Sequence, residues 1–183
     1  MKLGLSIAIP VLATFLLTGC GIKTSEYNVS ADNVQKLRSH KDIKLGVSKF
    51  TAVVPGENSI LCRLADTVET PNDEAFEMYI ENALKDELIM AGIYDENADI
   101  KLTGEVKKVS ASTMLGDAYW SFDINVRSSN GKNFDLKSRR EYGSAFLAFT
   151  ACTNMGSSFG PSVKKLIEDI ITHPKFNELI TSK

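Results

Sequence analysis

The chain has 183 residues, 43% of them hydrophobic and 24% charged, with a formal net charge of −2 at pH 7. That length fits one domain with a respectable core. Acidic side chains outnumber basic ones and no basic block occurs, so the cationic stripe that neutralises phosphates is missing and nucleic acid is excluded as a partner class.

At the N-terminus Lys2 is followed by an apolar run from Leu3 to Leu17, broken by small residues such as Ser6 and by Pro10. The run falls short of the ~20 residues that a membrane-spanning helix needs, and suits the apolar region of a cleaved export signal. It ends in Leu17-Thr18-Gly19-Cys20, which resembles the bacterial lipobox, Leu-x-Gly-Cys. The resemblance implies that residues 1–19 are a signal peptide and that Cys20 becomes the first residue of the mature protein. The Cys20 thiol would carry diacylglycerol, and palmitate-type acylation of its amino group often follows. The membrane is then a partner through the lipid, since two or three acyl chains hold firmly at ~0.8 kcal/mol per buried CH₂. Gly21 follows the cysteine where an Asp could stand, which resembles the pattern passed on to the outer membrane. The implied location is the bacterial envelope, lipid-anchored on the outer membrane and facing the periplasm. The mature chain keeps 20 basic and 23 acidic residues, a net charge of −3.

Three cysteines occur. With Cys20 lipidated, Cys62 and Cys152 form an even pair in an oxidising compartment, and a disulfide between them is the leading expectation, with two separate buried thiols as the alternative. Closing a loop of about 90 residues is worth ~4.5 kcal/mol in the chain-entropy model. His40 and His173, the other soft ligands, have no metal-ligand spacing. No metal and no cofactor beyond the covalent lipid on Cys20 is expected.

Residues 20–41 are polar with scattered apolar positions and read as a lipidated tether, with a short helical turn near Asp32 to Leu37. A domain follows over 42–183. Ile43, Leu45 and Val47 alternate with Lys44, Gly46 and Ser48, predicting a strand near 43–50. A long loop, about 51–72, carries Cys62. Thr70-Pro71-Asn72-Asp73 is a helix start, and Phe76, Ile80, Leu84, Leu88 and Ala91 recur at helical spacing up to the stop at Gly92. The opposite face of this helix, with Glu77, Glu81, Lys85 and Asp86, reads as solvated. Strands follow from about 100 to 107 and from Tyr119 to Arg127. Asn130-Gly131 suits a type I′ hairpin turn into a fourth strand near 133–142. A last helix spans roughly 154–172, and Phe176, Leu179 and Ile180 suggest a closing helical turn. The order β-α-β-β-β-α predicts an α+β two-layer sandwich, one mixed four-stranded sheet with two helices on one face. The exposed sheet face would carry Lys101, Thr103, Glu105, Lys107, Asp123, Asn125 and Arg127.

Known catalytic motifs are missing: no nucleophile elbow, phosphate-binding loop or His-Glu-x-x-His occurs. A thiol enzyme using Cys62, with Arg63 lowering its pKa and Asp66 nearby, needs a free thiol and has no visible base. Arg139-Arg140-Glu141-Tyr142 could bind an anion, but a solvated edge is the simpler reading. Trp120 could stack on a sugar, but it alternates with Phe122 and Ile124 as core residues do. The apolar stretch Ser144 to Thr150 lacks a clear period, and reads either as buried beneath the Cys62–Cys152 bridge or as a partner surface.

In size and element order the chain resembles small two-layer lipoproteins of the Gram-negative envelope, with a topology like the lipopolysaccharide-assembly lipoprotein and, more loosely, the N-terminal domain of TolB and YajG-type lipoproteins. Cys62-Arg63 and Thr150-Ala151-Cys152 also resemble a pattern in proteobacterial lipoproteins with no assigned activity. The expected function is non-enzymatic: a membrane-anchored lipoprotein that binds an envelope protein or envelope component. The alternative is a periplasmic carrier or sensor of a small apolar or lipid ligand.

Overall fold

The computed structural model of the chain describes residues 21–64 and 66–181. Cys20 and the signal read at 1–19 lie outside the described residues. Alternating apolar and polar positions make three long antiparallel strands: β6 (Lys101–Met114), β7 (Asp117–Ser128) and β8 (Asn133–Glu141). The strand predicted near 43–50 is split into β2 (Gly46–Val47) and β3 (Thr51–Ala52). Both run parallel to β6 along one edge, pairing Gly46 with Lys101 and Thr51 with Glu105. The main sheet is therefore mixed and four positions wide. The split follows from Phe50, whose buried ring packs over Gly104, where a Cβ would come within 2.5 Å of it.

Helices α2 (Phe76–Ala91) and α3 (Ala148–Ile171) cover one face of this sheet, the two-layer α+β architecture. A core of Trp120, Phe122, Tyr79, Phe76 and Phe159 fills the space between sheet and helices. On the opposite face Lys107 pairs with Asp135, and Arg127 with Glu105. Asn125, expected there as exposed, is buried beneath neighbours, its amide donating to Asp135 and to the Phe134 carbonyl. A β-bulge between Val106 and Lys108 shifts the alternation, so Lys107 and Lys108 both face water and Val109 turns inward. No helix among the described residues is long and apolar enough to cross a membrane.

Four further expectations are corrected. First, the hairpin turn is not type I′. Only Gly131 has a positive φ, of 88°, which leaves Asn130 free to donate its side-chain amide to the carbonyls of Glu178, Leu179 and Thr181, clamping α4 (Phe176–Ile180). Second, α3 starts at Ala148. Pro161 sits inside it, and the Ser157 carbonyl that loses its helical donor lies on the exposed side.

Third, the long loop holds a hairpin, β4 (Ser59–Cys62) and β5 (Asp66–Glu69).

Fourth, the expected tether belongs to the domain. Ile22 and Lys23 form β1, which pairs in parallel with Val68 and Glu69 of β5. Helix α1 (Ala31–Leu37) buries Val34 and Leu37 against α2 and α3. The surface of α2 read as solvated also holds the segment around β3: Glu77 is buried and accepts from the Gly56 N–H, and Glu81 accepts from the Phe50 N–H. Burial also pushes the Asp86 carboxyl above the usual carboxylate range.

Glu87 is the latch for residues 27–33. It is fully buried, and one carboxylate oxygen accepts from the Tyr27 hydroxyl (2.6 Å), the Ser30 N–H (2.8 Å) and the Asn33 amide (3.3 Å). Burial and the carboxylate together raise the Tyr27 phenol pKa, keeping it a donor. Truncating Glu87 to alanine strands three donors at once, so Glu87→Ala should cost about 2–3 kcal/mol and expose residues 21–41 to protease before the rest unfolds. Global melting unchanged, together with unchanged cleavage in 21–41, would disprove the latch.

Candidate functional site

At one end of the sheet three connections meet. They are the β4–β5 turn at Arg63 and Leu64, the β6–β7 turn at Leu115 and Gly116, and the segment 142–147 that leads into α3. Arg63 ties them together. Its Nη1 donates to the Phe146 carbonyl (2.7 Å), its Nη2 to the carbonyls of Ala145 (2.8 Å) and Thr113 (2.9 Å), and its Nε to the Thr113 hydroxyl (3.2 Å). Ser144 donates to the Thr113 carbonyl, and the Tyr142 hydroxyl to that of Ser112 at 2.8 Å. Burial pushes the Tyr142 phenol up to about 12, so it keeps this proton throughout the physiological range.

The disulfide lies directly behind. Cys62 at the end of β4 is joined to Cys152 in the first turns of α3, with both residues buried. Arg63, read from the sequence as a possible activator of a Cys62 thiolate, instead spends its guanidinium on backbone carbonyls. Both Arg63 and Leu64 adopt positive φ, 49° and 57°, a region that costs a side-chain-bearing residue of order 1–2 kcal/mol. The bonds of Arg63 and the bridge at Cys62 offset that strain.

This framework holds large apolar side chains out in water. Leu64 is 89% exposed, Phe146 83%, Phe149 72%, Leu147 69% and Met114 67%, with Leu61 and Leu115 beside them. The stretch 144–150 is thus outside the bridge and not beneath it. A shallow groove of about 560 Å³ runs between Arg63, Ser112, Thr113, Met114, Leu115 and Phe146.

Other residues singled out in the sequence are placed elsewhere. Trp120 is buried, its indole N–H donating to the Met155 carbonyl at 2.9 Å, so it has no face for a sugar. Arg139 lies over the Tyr119 ring at 3.7 Å and pairs with Asp117 and Glu141, the solvated-edge arrangement. His173 stacks on Phe134, and His40 meets the edge of Phe176. No cluster of three or more His, Cys, Asp or Glu residues that could hold a metal ion occurs among the described residues. A second groove, about 580 Å³, is lined by His40, Lys44, Asp95, Asp99 and Asn177 among others, near the start of β2. Its charges are of both signs and mostly hydrated.

No family model and no curated protein matches the sequence. Among solved structures, the fold is similar to that of a Xanthomonas campestris protein of the DUF330 family. The TM-score is 0.50 at 10% identity, over 86% of this chain and 94% of that one. A Caulobacter crescentus protein provisionally called a lipoprotein shows a fainter likeness, with a TM-score of 0.35 at 15% identity over 78% of this chain and 94% of that one. At such identities the similarity speaks to the fold alone.

Proposed function

We propose that the chain is an envelope lipoprotein, acylated on Cys20, which acts by binding a protein or another envelope component and not by catalysis. The observation that carries this reading is the conjunction of the lipobox-like Leu17-Thr18-Gly19-Cys20 with the Cys62–Cys152 disulfide. Structural disulfides persist in oxidising compartments, and a signal ending in an acylated cysteine delivers a chain to one. Gly21 after the cysteine favours the outer membrane, with the domain in the periplasm. A binding role is favoured because the bridge consumes the Cys62 thiol and both histidines pack on aromatic rings. A carrier role finds little room, since aromatic side chains fill the space between sheet and helices.

Intact mass of the membrane-extracted protein, taken with and without reductant and alkylating agent, tests the reading. The expected species lacks residues 1–19, carries added acyl chains, and has two cysteines that alkylate only after reduction. A full-length unacylated chain with two free thiols overturns it.

A further inference from the structure

We propose that the apolar tip formed by Leu64, Met114, Leu115, Phe146, Leu147 and Phe149 rests in the headgroup–acyl boundary of the membrane that holds the chain. The inference relies on the anchoring of Cys20 and adds to it a surface and an orientation.

Three independent observations converge on a bilayer as the occupant. The first is the place where the chain enters the domain. The parallel register pairs Ile22 with Val68, which brings Gly21 level with Thr67, three residues from Leu64. Thr67 is the second residue of β5, which follows on that turn, so the separation is at most ~10 Å at about 3.3 Å per residue. The chain therefore arrives at the same end of the molecule as the tip. The second is the absence of slack. Ile22 is already in the sheet, so only Gly21 separates it from the cysteine that would bear the lipid. A domain held on so short a lead must lie against the bilayer, and the surface that meets it is the one at this end.

The third is chemical. Residues 142–163 contain no Asp, Glu, Lys or Arg, and neither do residues 109–116. The one charged side chain within the tip, Arg63, has its donors taken up by the protein's own oxygens. Exposed Phe, Leu and Met suit insertion at a lipid interface, and the nearest charges, Asp117 and Arg139, pair with each other at the rim. The strained turn at Arg63 and Leu64 fits the same role. It holds Leu64 outward while closing the β4–β5 hairpin.

The test uses the full chain, processed in its host and purified from membranes, with one tryptophan probe at a time. Phe146→Trp places a probe on the tip. Lys132→Trp places one in the β7–β8 turn at the opposite end of the sheet. Both positions are exposed, so neither substitution disturbs the core, and buried Trp120 contributes equally to both. Each variant is reconstituted into phospholipid vesicles with acyl chains brominated near the headgroup, and the mass of the same preparation reports acylation.

With Cys20 acylated, Phe146→Trp emission should shift to the blue, with bromine quenching roughly threefold greater than for Lys132→Trp, as for a side chain at interfacial depth. An acylated protein in which both probes are equally unquenched overturns the proposal and leaves the anchor standing. A blue shift at Phe146→Trp without bromine quenching means that protein covers the tip, which also overturns it. An unacylated Cys20 removes the anchor, and this proposal falls with it.

Discussion

Breaking the Cys62–Cys152 bridge should lower the stability of the domain by about 4.5 kcal/mol, the chain-entropy value for a loop of this size. The cross-link spans 90 residues, about half of the 183-residue chain, so its reduction releases a large unfolded-state ensemble. At 2–4 °C per kcal/mol for a domain of this size, the melting temperature should fall by roughly 10–15 °C. Cys62→Ala with Cys152→Ala is the appropriate pair, because both sites are buried and apolar. The fold itself should survive, since the sheet and both long helices are held by their own core. The β4–β5 hairpin should loosen most, as it loses its covalent link to α3. Melting curves with and without reductant decide the matter. A shift of only two or three degrees would mean that Arg63 and the packing of Val68 already hold the hairpin, even in partly unfolded states.

Phe159→Ala should be comparably severe, with a loss of about 3–5 kcal/mol. The Phe159 ring is the hub of the core. Its centroid lies 4.9 Å from those of both Tyr79 and Trp120, 5.7 Å from Phe76 and 6.3 Å from Phe122. It therefore links α3 to α2 and to β7. Truncation opens a cavity that four rigid rings cannot collapse to fill. Phe159→Leu keeps most of the volume and should cost about 1.5 kcal/mol. Urea midpoints measure both. If alanine proved no worse than leucine, the rings would be repacking freely and the hub would be an overstatement.

What the sequence revealed and what it hid can be traced to range. Strands β7 and β8 announce themselves through local alternation, and α2 through the recurrence of Phe76, Ile80, Leu84 and Leu88. The pairing of Ile22 with Val68 joins residues 46 positions apart through a strand of two residues, and no local pattern signals it, so the segment looked like a tether. Glu87 was legible in principle. It stands between Ala83 and Ala91 on an apolar row of α2, four residues from each, which marks a carboxylate that needs a buried partner. The bulge at Val106 and Lys108 reverses the alternation midway along β6, and this is why the inward set after Lys107 could not be read by counting. The tip was hidden for another reason. An aperiodic apolar run reads the same whether it is buried or exposed, and only the Arg63 contacts to residues 113, 145 and 146 decide that it faces out.

Gly156 lies so close to β1 that a Cβ there would come within 2.9 Å of Ile22 Cγ2. The first strand of the domain thus packs on a helix made more than 130 residues later, and its hydrogen-bonding partner, β5, belongs to a hairpin whose other strand, β4, is tied to that helix by the disulfide. Contacts of such sequence separation come late in folding, because the entropy of closing the loop precedes any reward from the contact. Until α3 has folded, β1 has only its two-residue pairing with β5 to hold it, so this end of the domain should be the last to gain protection from amide exchange during folding.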